Sequence, residues 1–64
     1  MTLKELRLNA GLRQENVAKK LNVNQAAVSH WEHGVNPPSR KYHKALAKMY
    51  GCTLEELTAA IQSA

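Results

Sequence analysis

Between Gln14 and Gly34 the chain runs QENVAKKLNVNQAAVSHWEHG, and this stretch constrains the fold more than any other. Val17, Ala18 and Leu21 recur at helical spacing and predict one buried face, with Glu15, Asn16, Lys19 and Lys20 left in water. Asn22 interrupts that pattern. Asparagine is one of the few residues besides glycine that tolerates positive φ, so a helix is predicted to end there and the chain to turn. Val23 is placed to fill the gap under the bend. Asn24 supplies an N-cap side chain able to accept from backbone N–H groups of the next turn. Val28 and Trp31, three apart, then continue the apolar seam, and Gly34 closes the second helix.

The face of the second helix turned away from that seam carries Gln25, Ala26, Ser29, His30 and His33. An ordinary solvated face would be richer in Lys and Glu. Glutamine can grip the N6/N7 edge of adenine, alanine can touch a thymine methyl, and serine or histidine can donate to a base acceptor or a phosphate. The face is therefore readable against a major groove. Solvation alone is the alternative for His30, and His33 is expected in solvent or beside a phosphate rather than on a base.

The pattern Gln14-Glu15-x-Val17-Ala18-x-x-Leu21-x-Val23, followed by Val28-Ser29-x-Trp31-Glu32-x-Gly34, resembles the helix-turn-helix of lambdoid phage Cro proteins, phage repressor DNA-binding domains and their bacterial relatives. The resemblance extends from Leu3 to about Ile61. It implies an all-α, compact five-helix lambda-repressor-like domain with the helix-turn-helix at helices 2 and 3, the second of these entering the major groove. Two positions depart from the family pattern: Asn22 stands where glycine is usual, and Arg13 where Ser or Thr often caps the first motif helix.

The rest of the chain reads as the frame for this motif. Thr2-x-x-Glu5 is a capping box, predicting a helix from Leu3 with Leu3, Leu6 and Ala10 toward the core and an end at Asn9-Ala10-Gly11. Arg7 lies on the same side as Leu3 and Leu6. The resemblance implies a partner for it in Glu32; the alternative is that it snorkels into solvent. Arg13 and Gln14 open the first motif helix, whose N-terminal N–H groups suit a phosphate. By the same resemblance Gln14 braces Gln25 from behind, or else it is a plain exposed helix-start residue.

Two prolines make Val35-Asn36-Pro37-Pro38-Ser39 a loop, and the resemblance puts Asn36 and its backbone amides near the DNA backbone. Ser39 is expected to cap a fourth helix whose first turns carry Arg40, Lys41 and Lys44. Cations there oppose the helix dipole, so either a phosphate or a solvated basic patch accounts for them. Tyr42, Ala45, Leu46 and Met49, with Tyr50 at the edge, form the expected buried stripe of this helix, and Gly51 stops it. Thr53-x-x-Glu56 is a second capping box, starting a last helix with Leu54, Leu57 and Ile61 on one side. The resemblance implies that this helix supplies part of the dimer contact; the alternative is that it only closes the core.

Sixty-four residues suffice for one domain, 1–64, with a small core that oligomerisation would help. A formal charge of +4 and a pI near 9.6 favour a polyanionic partner, because each phosphate neutralised releases condensed counterions. The single cysteine, Cys52, allows no internal disulfide and suits a reducing cytoplasm; it is expected half-buried before the last helix, with redox sensing the alternative. No apolar run approaches the ~20 residues of a membrane span.

These features set the expected function: sequence-specific binding of double-stranded DNA by a transcriptional regulator, a Cro-like repressor acting as a homodimer on an inverted-repeat operator. Gln25, Ala26, Ser29 and His30 would read base edges, while Arg13, Gln14, Asn24, Asn36, Arg40 and Lys41 hold the backbone. Arg7 and Glu32 would form a structural ion pair. A different class, an antitoxin-type protein-binding module with secondary DNA binding, usually carries an extra tail or strand for its partner, and Gln62-Ser63-Ala64 offers little to wrap one. No enzyme is expected, nor any cofactor, metal, small-molecule ligand or membrane partner. His30 and His33 sit one turn apart without companion ligands, and no nucleophile has a base at motif distance.

Overall fold

A computed structural model describes residues 1–63. Helix α1 spans Leu3–Asn9, α2 Gln14–Leu21, α3 Gln25–Glu32, α4 His43–Tyr50 and α5 Leu54–Gln62, with a 3₁₀ turn at Arg40–Tyr42 leading into α4. No strand occurs among the described residues. The Cα radius of gyration is 10.0 Å.

Both capping boxes form. Glu5 N–H donates to Thr2 Oγ1 at 3.1 Å and Thr2 N–H to Glu5 Oε1 at 2.8 Å; Thr53 and Glu56 repeat the exchange at 3.0 and 2.9 Å. Each box satisfies two backbone donors that helix geometry would otherwise leave open. The Thr2 and Thr53 backbone N–H groups that donate to these carboxylates are the main reason the Glu5 and Glu56 carboxyls lie below their usual pKa, with the threonine side chain a lesser cause.

Asn22 ends α2 at φ 59°, ψ 46°, the left-handed conformation its sequence position called for. Val23 N–H then donates back to the Ala18 carbonyl at 2.9 Å, which closes the helix and draws Val23 against the core. Gly34 does the same for α3 at φ +73°, with Val35 N–H returning to the His30 carbonyl at 3.0 Å.

The core lies where α1 meets α3, α4 and α5, with α2 packed on α3. Val17, Val28, Leu46 and Leu57 are fully buried at its centre, with Leu3, Leu6, Ala18, Trp31, Ala47, Tyr50 and Ala60 around them. Leu12, Leu21, Val23, Met49, Cys52 and Ile61 cover its margins. Truncating any of the four central side chains to alanine removes contacts on every side, at about 2–5 kcal/mol for a leucine.

Three apolar assignments shift. Ala10 is exposed because α1 ends one residue earlier, and Leu12 covers that edge instead. In α4 the buried face is Leu46, Ala47 and Tyr50, with Ala45 exposed and Met49 half-buried. The cause is the 3₁₀ turn: a stripe projected from Tyr42 crosses a junction where the period changes from ~3.0 to ~3.6 residues per turn. Leu54, the first residue of α5, overhangs the core at 50 % exposure, and Ala60 takes its place on the buried side with Leu57.

Candidate nucleic-acid interface

Helix α3 is held from behind. Val28 and Trp31 bury its inner face, and Ala27 is half-buried between them and the solvent side. That leaves Gln25, Ala26 and His30 exposed and Ser29 half-exposed. Trp31 in turn packs on Tyr42 with ring centroids 5.6 Å apart, which seats the Arg40–Tyr42 turn beside α3.

A chain of polar contacts runs from α1 to the start of α3. Arg7, only 7 % exposed, donates through Nε to Glu32 Oε2 at 2.6 Å and through Nη2 to Glu32 Oε1 at 3.2 Å, and its Nη1 reaches the Leu12 carbonyl at 3.0 Å. The Glu32 carboxylate raises the guanidinium's pKa, outweighing desolvation, which lowers it. Gln14 Nε2 donates to Glu32 Oε1 at 3.0 Å, and Gln25 Nε2 donates to Gln14 Oε1 at 3.5 Å. Because Gln14 spends its amide nitrogen on Glu32, its oxygen is turned toward Gln25. Gln25 keeps its own oxygen and one N–H free, the pair that bidentate recognition of adenine needs.

Asn24 sits at the N-cap of α3 with extended backbone, φ −72° and ψ 148°, yet its side chain makes no capping bond. This corrects the capping role assigned from sequence. Ala27 N–H is taken instead by the Asn24 carbonyl at 3.0 Å, so the exposed amide is left unused by the helix. Ser39 behaves alike: Tyr42 N–H goes to its carbonyl at 2.9 Å, and its hydroxyl caps nothing. At α2 the roles are reversed, Asn16 Oδ1 accepting from Arg13 N–H at 2.9 Å. Arg13 therefore points its guanidinium into solvent, 3.7 Å from Glu15 Oε1.

The remaining basic and polar candidates are exposed but not linked to Gln25 by any bond among the described residues. Arg40 and Lys41 lie in the 3₁₀ turn, not in α4, and Lys41 Nζ stands 5.2 Å from the Tyr42 ring centroid. That cation–π contact gives Lys41 a structural role that Arg40 lacks. Asn36, exposed, borders a hollow of about 310 Å³ shared with Trp31, Gly34, Pro37, Ile61 and Gln62. His33 Nδ1 lies 2.7 Å from the Ser29 carbonyl and 3.3 Å from the Ser29 hydroxyl, contacts that tether the ring to the turn before it.

One contact had no sequence signal. His43 Nε2 donates to the carbonyl of buried Pro38 at 3.1 Å, pinning the proline loop to the start of α4. Among the described residues no three of His, Cys, Asp and Glu gather as a metal-binding group, and no helix is long and apolar enough to cross a membrane.

The helix-turn-helix family model HTH_3 matches residues 3–57. A curated relative, the HTH-type transcriptional activator BcrR of Enterococcus faecalis, is 36% identical over 55 residues, covering 86% of this chain and 27% of its own length. The chain thus spans about a quarter of that relative. No solved structure matches it. With α2 and α3 packed across the Asn22 bend and the family match covering all but the chain's two ends, the protein belongs to the Cro/phage-repressor-like helix-turn-helix family of DNA-binding domains.

Proposed function

We propose that this chain is a sequence-specific transcriptional regulator that lays α3 in the major groove of double-stranded DNA. The observation carrying this is the chain of bonds from Arg7 through Glu32 to Gln14, which turns the Gln14 amide oxygen toward the exposed Gln25, 3.5 Å away, before any DNA is met. Gln25, Ala26, Ser29 and His30 read base edges; Arg13, Gln14, Asn24, Asn36, Arg40 and Lys41 hold phosphates. The unit on DNA is a two-fold dimer, for which exposed Val35 (67 %) and Leu54 (50 %) are apolar side chains a second copy can cover. Its operator is an inverted repeat with half-site centres ~34 Å apart.

Occupying a promoter in this way blocks transcription, as a Cro-like repressor does. The Enterococcus relative is named an activator, which favours activation as the second possibility. Selection from random double-stranded DNA tests the first claim: an enriched palindrome is expected, whereas enrichment of no motif contradicts it. Placing that palindrome upstream of a reporter, or across its start site, then separates activation from repression.

A further inference from the structure

Nine basic side chains stand against five carboxylates in this chain, a net +4, and the proposed DNA face does not account for all of them. Arg7 is spent on Glu32, while Arg13, Arg40 and Lys41 belong to the DNA face. Lys19, Lys20 and Lys48 stand elsewhere, at the C-terminal ends of α2 and α4, where they rim one open groove of about 1100 Å³. Its apolar lining comes from Leu12, Leu21, Ala45 and Met49, with Asn16 the one uncharged polar residue. No carboxylate lines it, and none of the three lysines is in an ion pair among the described residues. Lysine near a helix C-terminus complements the helix dipole, which explains each residue singly. It does not explain two helix ends converging their cations around one apolar trough.

We infer that this groove is a docking site for an acidic amphipathic helix of a partner protein. The apolar floor takes a stripe of side chains at i, i+3, i+4 and i+7, and the lysine rim pairs with carboxylates flanking that stripe. Charge complementarity selects the partner, since an uncompensated basic rim repels a basic helix and attracts an acidic one. The volume exceeds what one small metabolite fills and suits several side chains together. The groove shares no residue with the proposed DNA face, so its occupation does not depend on the DNA-binding role.

The test is an amide chemical-shift titration of the 64-residue chain with a helical peptide of leucines at i, i+3, i+4 and i+7 flanked by glutamates. A second titration replaces the glutamates with lysines; decanoate and phosphatidylglycerol vesicles form the other arms. Saturable shifts at Leu12, Leu21, Ala45 and Met49 with the acidic peptide alone are expected, weakening as salt rises. The Lys19→Glu/Lys48→Glu double variant should lose about tenfold in affinity, and Ala45→Glu, at an exposed helix position, should weaken binding too. Both should keep the wild-type pattern of amide shifts away from the groove, so that lost binding is not lost folding, while the lysine double variant alone melts lower because Glu at a helix C-terminus opposes the dipole. Absence of saturable shifts, equal binding of the lysine peptide, shifts centred on Val35 or α3, or binding only of decanoate or vesicles overturns the assignment.

Discussion

Arg7 and Glu32, 25 positions apart, meet through two guanidinium bonds of 2.6 and 3.2 Å with side chains only 8 % and 3 % exposed. The pair ties the first helix to the end of α3, and Gln14 Nε2 shares the same carboxylate. A substitution that removes one partner leaves the other charge buried. Arg7→Met is therefore expected to cost about 3 kcal/mol in chemical denaturation, and a double change to Arg7→Met/Glu32→Leu to recover a large part of it. Wild-type stability in the single variant would contradict a buried, mutually dependent pair.

Tyr50 adds a pH dependence. Burial, reinforced by the Glu32 charge, pushes its phenol up to about 12 from an ordinary 10.0. The unfolded chain then loses this proton first, so the contribution to stability is complete below about pH 10 and declines as pH rises toward 12. In a Tyr42→Phe variant, which leaves Tyr50 the only tyrosine, phenolate absorbance should rise with a midpoint near 12 in the native protein and near 10 in denaturant. A native midpoint near 10 would mean the ring is not enclosed.

Arg40 separates positioning from reading. It is exposed, unpaired among the described residues and carried on a turn that Tyr42 fixes against Trp31. Arg40→Ala should lower affinity for all DNA sequences alike and reduce the slope of log affinity against log salt by about one unit. An unchanged slope in a salt titration would place the side chain off the phosphates. Lys41→Ala is expected to change stability as well, because its ammonium also sits over Tyr42.

Much of this was legible in the sequence because each local signal had one physical outcome. Two Thr-x-x-Glu boxes opened α1 and α5, and Asn22, the sole non-glycine with positive φ among the described residues, took the left-handed bend that ends α2. Legibility failed where local rules met tertiary ones. The stripe of α4 was displaced because a 3₁₀ turn stands before it, and a 3₁₀ turn has no sequence signature as sharp as a capping box. Asn24 and Ser39 have capping side chains, but in both the backbone carbonyl had already taken the donor. At the interface, spacing placed Gln25 on the outward face of α3. It could not give the direction of the Gln14 amide, which depends on Glu32, 18 positions away. Lys19 and Lys20 read as a solvated face, and only the fold, which sets residues of α2 and α4 around one groove, brings Lys48 and Met49 to the same trough.

The most direct measurement compares Gln25→Ala with the wild-type chain on its selected site, on that site with each base pair changed in turn, and on random DNA. Gln25 is expected to account for about 1–3 kcal/mol at a single base pair, so the variant should lose that preference while its affinity for random DNA stays as it was. Gln14→Ala should show a weaker version of the same loss, since Gln25 then loses its brace, together with a uniform weakening on all sequences from the lost phosphate contact. Equal weakening on every sequence would contradict the account, because it would make Gln25 a phosphate contact and leave α3 without a reader at its N-terminus.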